Sequence, residues 1–191
     1  MPINTDLPRA LALVGMPGAG KTVCAKHLET LGYFQLRFGG VVEGEVRNRQ
    51  WDVTPENERI VREELREKHG MAAMAIISLP KLKDALESHS HIIIDGLYSF
   101  SEYKILQAQL GVPMVVVAIV APRQLRYQRL STRPDRPLTP EEAQRRDIQE
   151  IETLEKGGPI AIADYTLTNN GATNDLLADL DTLLDELHFQ P

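Results

Sequence analysis

Gly15-Met16-Pro17-Gly18-Ala19-Gly20-Lys21-Thr22 spells G-x-x-x-x-G-K-T, a spacing of residue types suited to cradling a chain of phosphates. Glycines let the backbone curl so that successive N–H groups point inward at anionic oxygens, and the helix expected from about Gly20 adds its positive end. Gly15, Gly18, Ala19, Gly20, Lys21 and Thr22 are therefore candidate ligands of a nucleoside polyphosphate, with Lys21 also a candidate catalytic group at the β/γ-phosphates. Lys21 could act as a charge clamp there, and the Thr22 hydroxyl could sit on Mg²⁺. Asp95 is the second candidate, because it ends the apolar run His91-Ile92-Ile93-Ile94. An acid there, beside the loop, can hold Mg²⁺ directly or through a water and can take a proton from a hydroxyl acceptor. The competing reading of Asp95-Gly96 is a capped turn.

Arginines come next. Arg123, Arg126, Arg129, Arg133, Arg136, Arg145 and Arg146 crowd one segment of a chain whose net charge is −6. Spacings of three and four place Arg126, Arg129 and Arg133 along one helix face, leading into the Pro-rich stretch Ser131 to Leu138. Folded over a triphosphate, such guanidinium groups would neutralise charge on the transferred phosphoryl oxygens and help exclude water. The alternative is a solvated basic face paired with Glu141, Glu142 and Asp147. His89 and His91 lack a Cys/His/acid set, so no transition-metal site is expected. Trp51 is expected to pack rather than stack on a base.

These residues need a scaffold. At 191 residues, 42% hydrophobic and 25% charged, the chain suits one soluble domain, residues 1–191, with a core that needs no staples. The overall negative charge disfavours nonspecific nucleic-acid binding. One cysteine, Cys24, fits a reducing compartment, and neither a secretory leader nor a bilayer-length apolar run is read, so the expectation is a cytoplasmic protein off the membrane. Apolar runs at Ala10–Val14, Tyr33–Phe38, His91–Asp95, Pro113–Val120 and Tyr165–Thr168 read as strands. Helical patterns separate them, so a parallel α/β sheet with right-handed crossovers is expected. Thr54-Pro55, Ser99-x-x-Glu102 and Thr139-Pro140-Glu141-Glu142 read as helix starts. Met71 to Ser88 reads as a helix interrupted near Pro80. The helix opened at Thr139 is expected to end at Gly157-Gly158. Leu176, Leu177, Leu180, Leu183, Leu184 and Leu187 form the stripe that docks a last helix on the sheet. In such a sheet, ligands bind beyond the carboxyl ends of the strands, where the loop, Asp95 and the segment after Val120 fall.

Gly15 to Thr22, Asp95-Gly96, Arg129-Leu130-Ser131-Thr132-Arg133 and Ala163-Asp164-Tyr165-Thr166-Leu167-Thr168-Asn169-Asn170-Gly171 together resemble the P-loop kinases of small metabolites. The resemblance is to the nucleoside monophosphate kinase and dephospho-CoA kinase group, in its little-characterised adenylate-kinase-related branch. It implies a three-layer P-loop NTPase fold with a five-stranded parallel sheet, an acceptor-binding helical insert at about 40–88 and a lid at about 131–145. ATP and Mg²⁺ are the implied cofactors. Arg129 would lie near the adenine, Arg133 would reach toward the phosphates, and the stretch from Tyr165 through Asn169 to Gly171 would flank the base. The acceptor half departs from the family: Val41-Val42-Glu43-Gly44-Glu45 and Tyr98-Ser99 stand where acceptor-gripping arginines are expected, and Phe38-Gly39-Gly40 where dephospho-CoA kinases are acidic. Arg37, Arg47 and Arg49 are possible replacements. The implied activity is phosphoryl transfer to a small nucleotide-like or nucleoside-like acceptor; the alternative is an ATP-binding switch or scaffold derived from such a kinase.

Overall fold

The structure, a computed structural model, describes residues 7–134 and 136–191. The first six residues, which bear on the leader reading, and Asp135, inside the expected lid, lie outside the described residues.

Five parallel strands form one sheet in the order β2-β3-β1-β4-β5. They are β1 (Ala10–Val14), β2 (Phe34–Arg37), β3 (Ile92–Asp95), β4 (Met114–Val120) and β5 (Tyr165–Thr168). The central strands are unbroken apolar runs because helices cover both of their faces. On one face Leu11, Leu13, Ile93, Val115, Val117 and Ile119 pack against α1 (Lys21–Thr30) and α9 (Thr173–Glu186). On the other, Ala10, Ala12, Val14, Ile92, Ile94, Val116 and Ala118 meet α2 (Phe38–Asn48), α3 (Pro55–His69), α4 (Ala73–Ser88) and α5 (Phe100–Gln109). Alternation along each strand thus assigns its residues to two separate cores. Four leucines of the α9 stripe, Leu176, Leu180, Leu183 and Leu184, are buried in the first of them. Cys24 is buried there too, and burial pushes its thiol up to about 12.

Helix starts follow the local chemistry. Thr54 Oγ1 accepts from the Asn57 N–H at the head of α3, and Ser99 and Glu102 exchange the reciprocal bonds of a capping box at α5. Thr139 and Glu142 do the same for α7 (Pro140–Glu152).

Three boundaries differ from expectation. Helix α2 begins at Phe38 and runs through Gly39-Gly40, because fully buried Phe38 and Val46 anchor its inner face. Helix α4 continues through Pro80: Ile76, whose carbonyl the proline cannot satisfy, and Pro80 itself are exposed, so water can take that bond, while Ala75, Ser78 and Leu82 keep the inner face packed. Helix α7 stops at Glu152 rather than at Gly157-Gly158. Glu155 adopts φ 54°, which turns the chain back before the short α8 (Gly157–Ala161) and carries Lys156 inward. Helix α6 (Arg123–Thr132) lies between β4 and α7 in the chain.

Candidate functional site

Residues 15–20 form the turn from β1 into α1. Gly15 has φ +144°, and a Cβ there would stand 2.3 Å from the Ile119 carbonyl oxygen of β4. Gly20, at φ +116°, would bring a Cβ to 2.3 Å from Asn169 Nδ2. Both positions therefore need glycine for conformation and for room. Gly18 lies against the backbone of Arg126 and the side chain of Leu130, and Ala19 is buried. Lys21 opens α1 and folds back, its Nζ donating to the Gly15 carbonyl at 2.6 Å. Thr22, next on the helix, is exposed.

Asp95 ends β3, in register with Leu13 on β1 and Arg37 on β2. The carboxylate thus stands one strand away from the loop. Burial raises its pKa, and the charges of Lys21 and Arg37 pull the other way. Lys21 is pushed down to about 7, first by its own burial and then by the charge of Lys156; Glu150 and Asp95 oppose this. A lysine so placed has a strong free-energy gain available from a polyphosphate.

Sequence reasoning did not single out the buried charges that surround this pair. Lys156 is 2% exposed, is bonded to Glu150, and holds its Nζ 4.5 Å from the centre of the Tyr98 ring. Burial works against the charge of Glu150, yet Lys156, together with Arg146 and Lys21, holds the carboxyl below its ordinary range. Tyr98 packs on Gly96, directly after Asp95, and its hydroxyl is pushed up to about 12 by burial and then by Asp95. Glu102 is fully buried and accepts from the Tyr98 and Ser99 N–H groups. Desolvation raises it to about 7. Its Oε1, and Nε of Arg66, are buried without a hydrogen-bond partner among the described residues. The capping box pointed to the Glu102 bonds, but nothing in the local sequence marks Lys156 as buried.

The arginines of α6 part company. Arg126 is buried, bonded to both carboxylate oxygens of Asp147 and to the Pro17 carbonyl at 2.9 Å. The pairing with Asp147 is the one the alternative reading named, but both partners are buried rather than on a solvated face. Arg129 turns to Asn169, donating from Nη2 to its backbone oxygen and its Oδ1, both at 3.0 Å. Asn169 Nδ2 in turn donates to the Ala19 carbonyl at 2.8 Å. Arg129 Nη1 is buried without a hydrogen-bond partner among the described residues, a donor that an added acceptor could satisfy. Arg133, past the end of the helix, donates to the Arg136 carbonyl. Gly171 lies just before α9, exposed, with the Asp175 carboxylate beside it. The structure therefore gathers Gly15 to Lys21, Arg129 and Asn169, sets Asp95 next to Lys21, and leaves Arg133 and Gly171 at the margin.

On the side of α2 and α3, Glu43 is bonded to Arg37 at 2.5 Å, and Arg49 to Glu45 at 2.9 Å and Glu64 at 2.5 Å. Two of the three arginines considered as acceptor ligands are thus already held by carboxylates. Trp51 is 41% exposed, with the Arg49 guanidinium 5.2 Å from its ring centre. It does not fill a core position, contrary to expectation, because it lies just beyond the end of α2, before α3 begins.

Fold and loop together define a P-loop kinase-like α/β protein. The chain belongs to the UPF0200 proteins and, over residues 11–155, to the AAA domain family. It is 33% identical to the UPF0200 protein of Thermococcus kodakarensis over 178 residues, 92% of this chain and 96% of that one. The UPF0200 protein of Hyperthermus butylicus is 34% identical, with 94% and 95% covered. Among solved structures, a Thermus thermophilus protein matches with a TM-score of 0.64 at 20% identity, covering 94% of this chain and 98% of that one. Shikimate kinase from Acinetobacter baumannii, solved with shikimate, matches with a TM-score of 0.54 at 21% identity and 97% coverage of both chains. At these identities the structural matches speak to fold.

Proposed function

We propose that the protein is an ATP- and Mg²⁺-dependent phosphotransferase acting on a small nucleotide-like or nucleoside-like acceptor, of the nucleoside monophosphate kinase or dephospho-CoA kinase type, and that it works in the cytoplasm. One observation carries the proposal: the glycine loop, with Lys21 curled onto it, stands one strand away from the Asp95 carboxylate. The loop amides and Lys21 bind the β/γ-phosphates and hold the γ-phosphoryl group for transfer. Thr22 and Asp95 offer the hard oxygens that suit Mg²⁺, Asp95 directly or through water; when bound, the ion neutralises phosphate charge. Asp95, with its raised pKa, also serves as proton acceptor for a hydroxyl nucleophile. Arg129 and Asn169, joined to Ala19, close the base side of the nucleotide site, with Gly171 beside them. Arg129 Nη1, without a partner among the described residues, fits an acceptor atom of the nucleotide. Arg133 stabilises the transferred charge once the 131–145 segment closes as a lid, and the 40–88 helices receive the acceptor. The decisive experiment is Lys21→Ala: ATP binding and turnover should both collapse, and retention of either at the wild-type level would sink the proposal.

A second reading, an ATP-binding switch or scaffold without a small-molecule acceptor, is favoured by one observation. Arg37 and Arg49 are already held by Glu43, Glu45 and Glu64, which leaves Arg47 of the three considered arginines to meet a phosphorylated acceptor. Screening nucleosides, nucleotides and alcohols for acceptor-dependent ATP consumption separates the two. Tight ATP binding with no acceptor-dependent turnover selects the switch.

A further inference from the structure

The phosphate loop is held from behind by a buried ion pair that the proposed chemistry does not use. Arg126 and Asp147 are 6% and 7% exposed. Nη1 and Nη2 of the guanidinium reach the two carboxylate oxygens at 2.9 and 2.5 Å, and Nη1 also donates to the Pro17 carbonyl at 2.9 Å. The Tyr127 hydroxyl adds a bond to the same carboxylate at 3.2 Å. A rigid guanidinium fork gripped at both ends by a carboxylate has no freedom left in its plane, so its remaining N–H is aimed. That aimed donor meets a buried loop carbonyl. In a trans peptide the carbonyl and the following N–H point to opposite sides. Holding the Pro17 oxygen on the α6 side therefore directs the Gly18 N–H away from α6. Gly18 itself permits the close approach, since a Cβ there would stand 2.7 Å from the Arg126 carbonyl oxygen. A buried ion pair adds little net stability over an apolar replacement, so this contact is better explained by what it orients than by what it stabilises.

We propose that Arg126 and Asp147 are positioning residues of the phosphate loop: Asp147 orients the Arg126 guanidinium, and Arg126 fixes the Pro17–Gly18 peptide so that its N–H is presented to phosphate. Ligand binding by the loop rests on the proposed function, whereas the fixed peptide does not.

The test uses the full chain with Asp147→Asn, Arg126→Lys, the double variant, and Leu184→Ala as a control that loses core packing on α9. Two quantities are measured: the calorimetric Kd for the Mg²⁺ complex of the nonhydrolysable analogue AMP-PNP, and amide hydrogen exchange of residues 16–21 in the nucleotide-free protein. Each single variant should weaken nucleotide binding at least ~10-fold and speed loop exchange at least ~10-fold. The double variant should lose no more than the worse single one, because both act through one contact. Leu184→Ala should lower Tm yet leave both quantities within about twofold. Folded Asp147→Asn and Arg126→Lys proteins with wild-type loop exchange would overturn the proposal, as would a control that loosens the loop equally. If Asp147→Asn does not fold, Asp147→Glu, which keeps the charge and shifts its position, is read in the same way. A wild-type chain that binds no AMP-PNP would refute the phosphotransferase reading alone; loop exchange would still decide the positioning role.

Discussion

Asn169 Nδ2 donates to the Ala19 carbonyl at 2.8 Å, joining the end of the last strand to the middle of the phosphate loop. The same side chain accepts from Arg129, so one amide ties β5, α6 and the loop together. Asn169→Ala strands the Ala19 carbonyl in a buried setting and takes from Arg129 Nη2 one of its two acceptors, leaving the backbone oxygen of residue 169. Urea denaturation should show a loss of about 1–3 kcal/mol. Nucleotide affinity should fall with it, read by titration with a fluorescent ATP analogue.

Lys21 makes nucleotide binding a protonation event. Its pKa of about 7 in the ligand-free protein leaves it substantially neutral at pH 7.5, and a polyphosphate restores the ammonium. Binding at pH 7.5 should take up a proton, whereas at pH 6 it should take up almost none. Calorimetry in buffers of different ionisation enthalpy measures the uptake directly, and equal uptake at pH 7.5 and pH 6 would contradict it. Folding carries the matching sign: the unfolded lysine binds more protons between pH 7 and 10.5, so this residue makes the protein more stable as pH rises through that window.

Lys156 and Glu150 should be far more costly to separate than to remove together. Lys156→Met leaves the buried Glu150 carboxylate with Arg146, at 3.3 Å, as its remaining partner and should cost up to about 3–5 kcal/mol. Combining it with Glu150→Gln should recover most of that loss in thermal or urea unfolding. Because the charge of Lys156 helps hold Lys21 down, the single variant should also move proton uptake on nucleotide binding to higher pH.

Glu102 titrates in the opposite sense. With a folded pKa of about 7 against an ordinary 4.5, the native state binds the extra proton between those values. Its contribution is complete below pH 4.5 and is lost as pH rises to about 7. Glu102→Gln removes this titration, so the stability difference between wild type and variant should change by on the order of 2–3 kcal/mol across the window, in favour of the variant at the upper end.

Much of this was legible because it is local. The loop spelling, the apolar strands and the caps at Thr54, Ser99 and Thr139 each depend on residues a few places apart, and the structure has all of them. The charges around Lys21 were not legible. Arg126 looked like its neighbours Arg129 and Arg133 at helical spacing, and only packing against Asp147 buries it. Lys156 follows Glu155 in a segment that reads as a charged helix end. Its burial depends on the left-handed turn at Glu155, which no residue type there demands. Pro80 failed as a helix breaker for a related reason: exposure of its turn settled the matter, and exposure is a tertiary property.

Gly15 is closed in by Ile119, Pro17 is held by Arg126, and Gly20 and Ala19 are fitted against Asn169. The loop's spelling is contiguous, yet the amide that closes it lies 150 residues further along the chain. A nascent chain therefore carries the spelling of a phosphate site long before it carries the site. Closure of the loop is thus a long-range product of folding: it needs β5 docked beside β4 and reports on the pairing of distant parts of the chain.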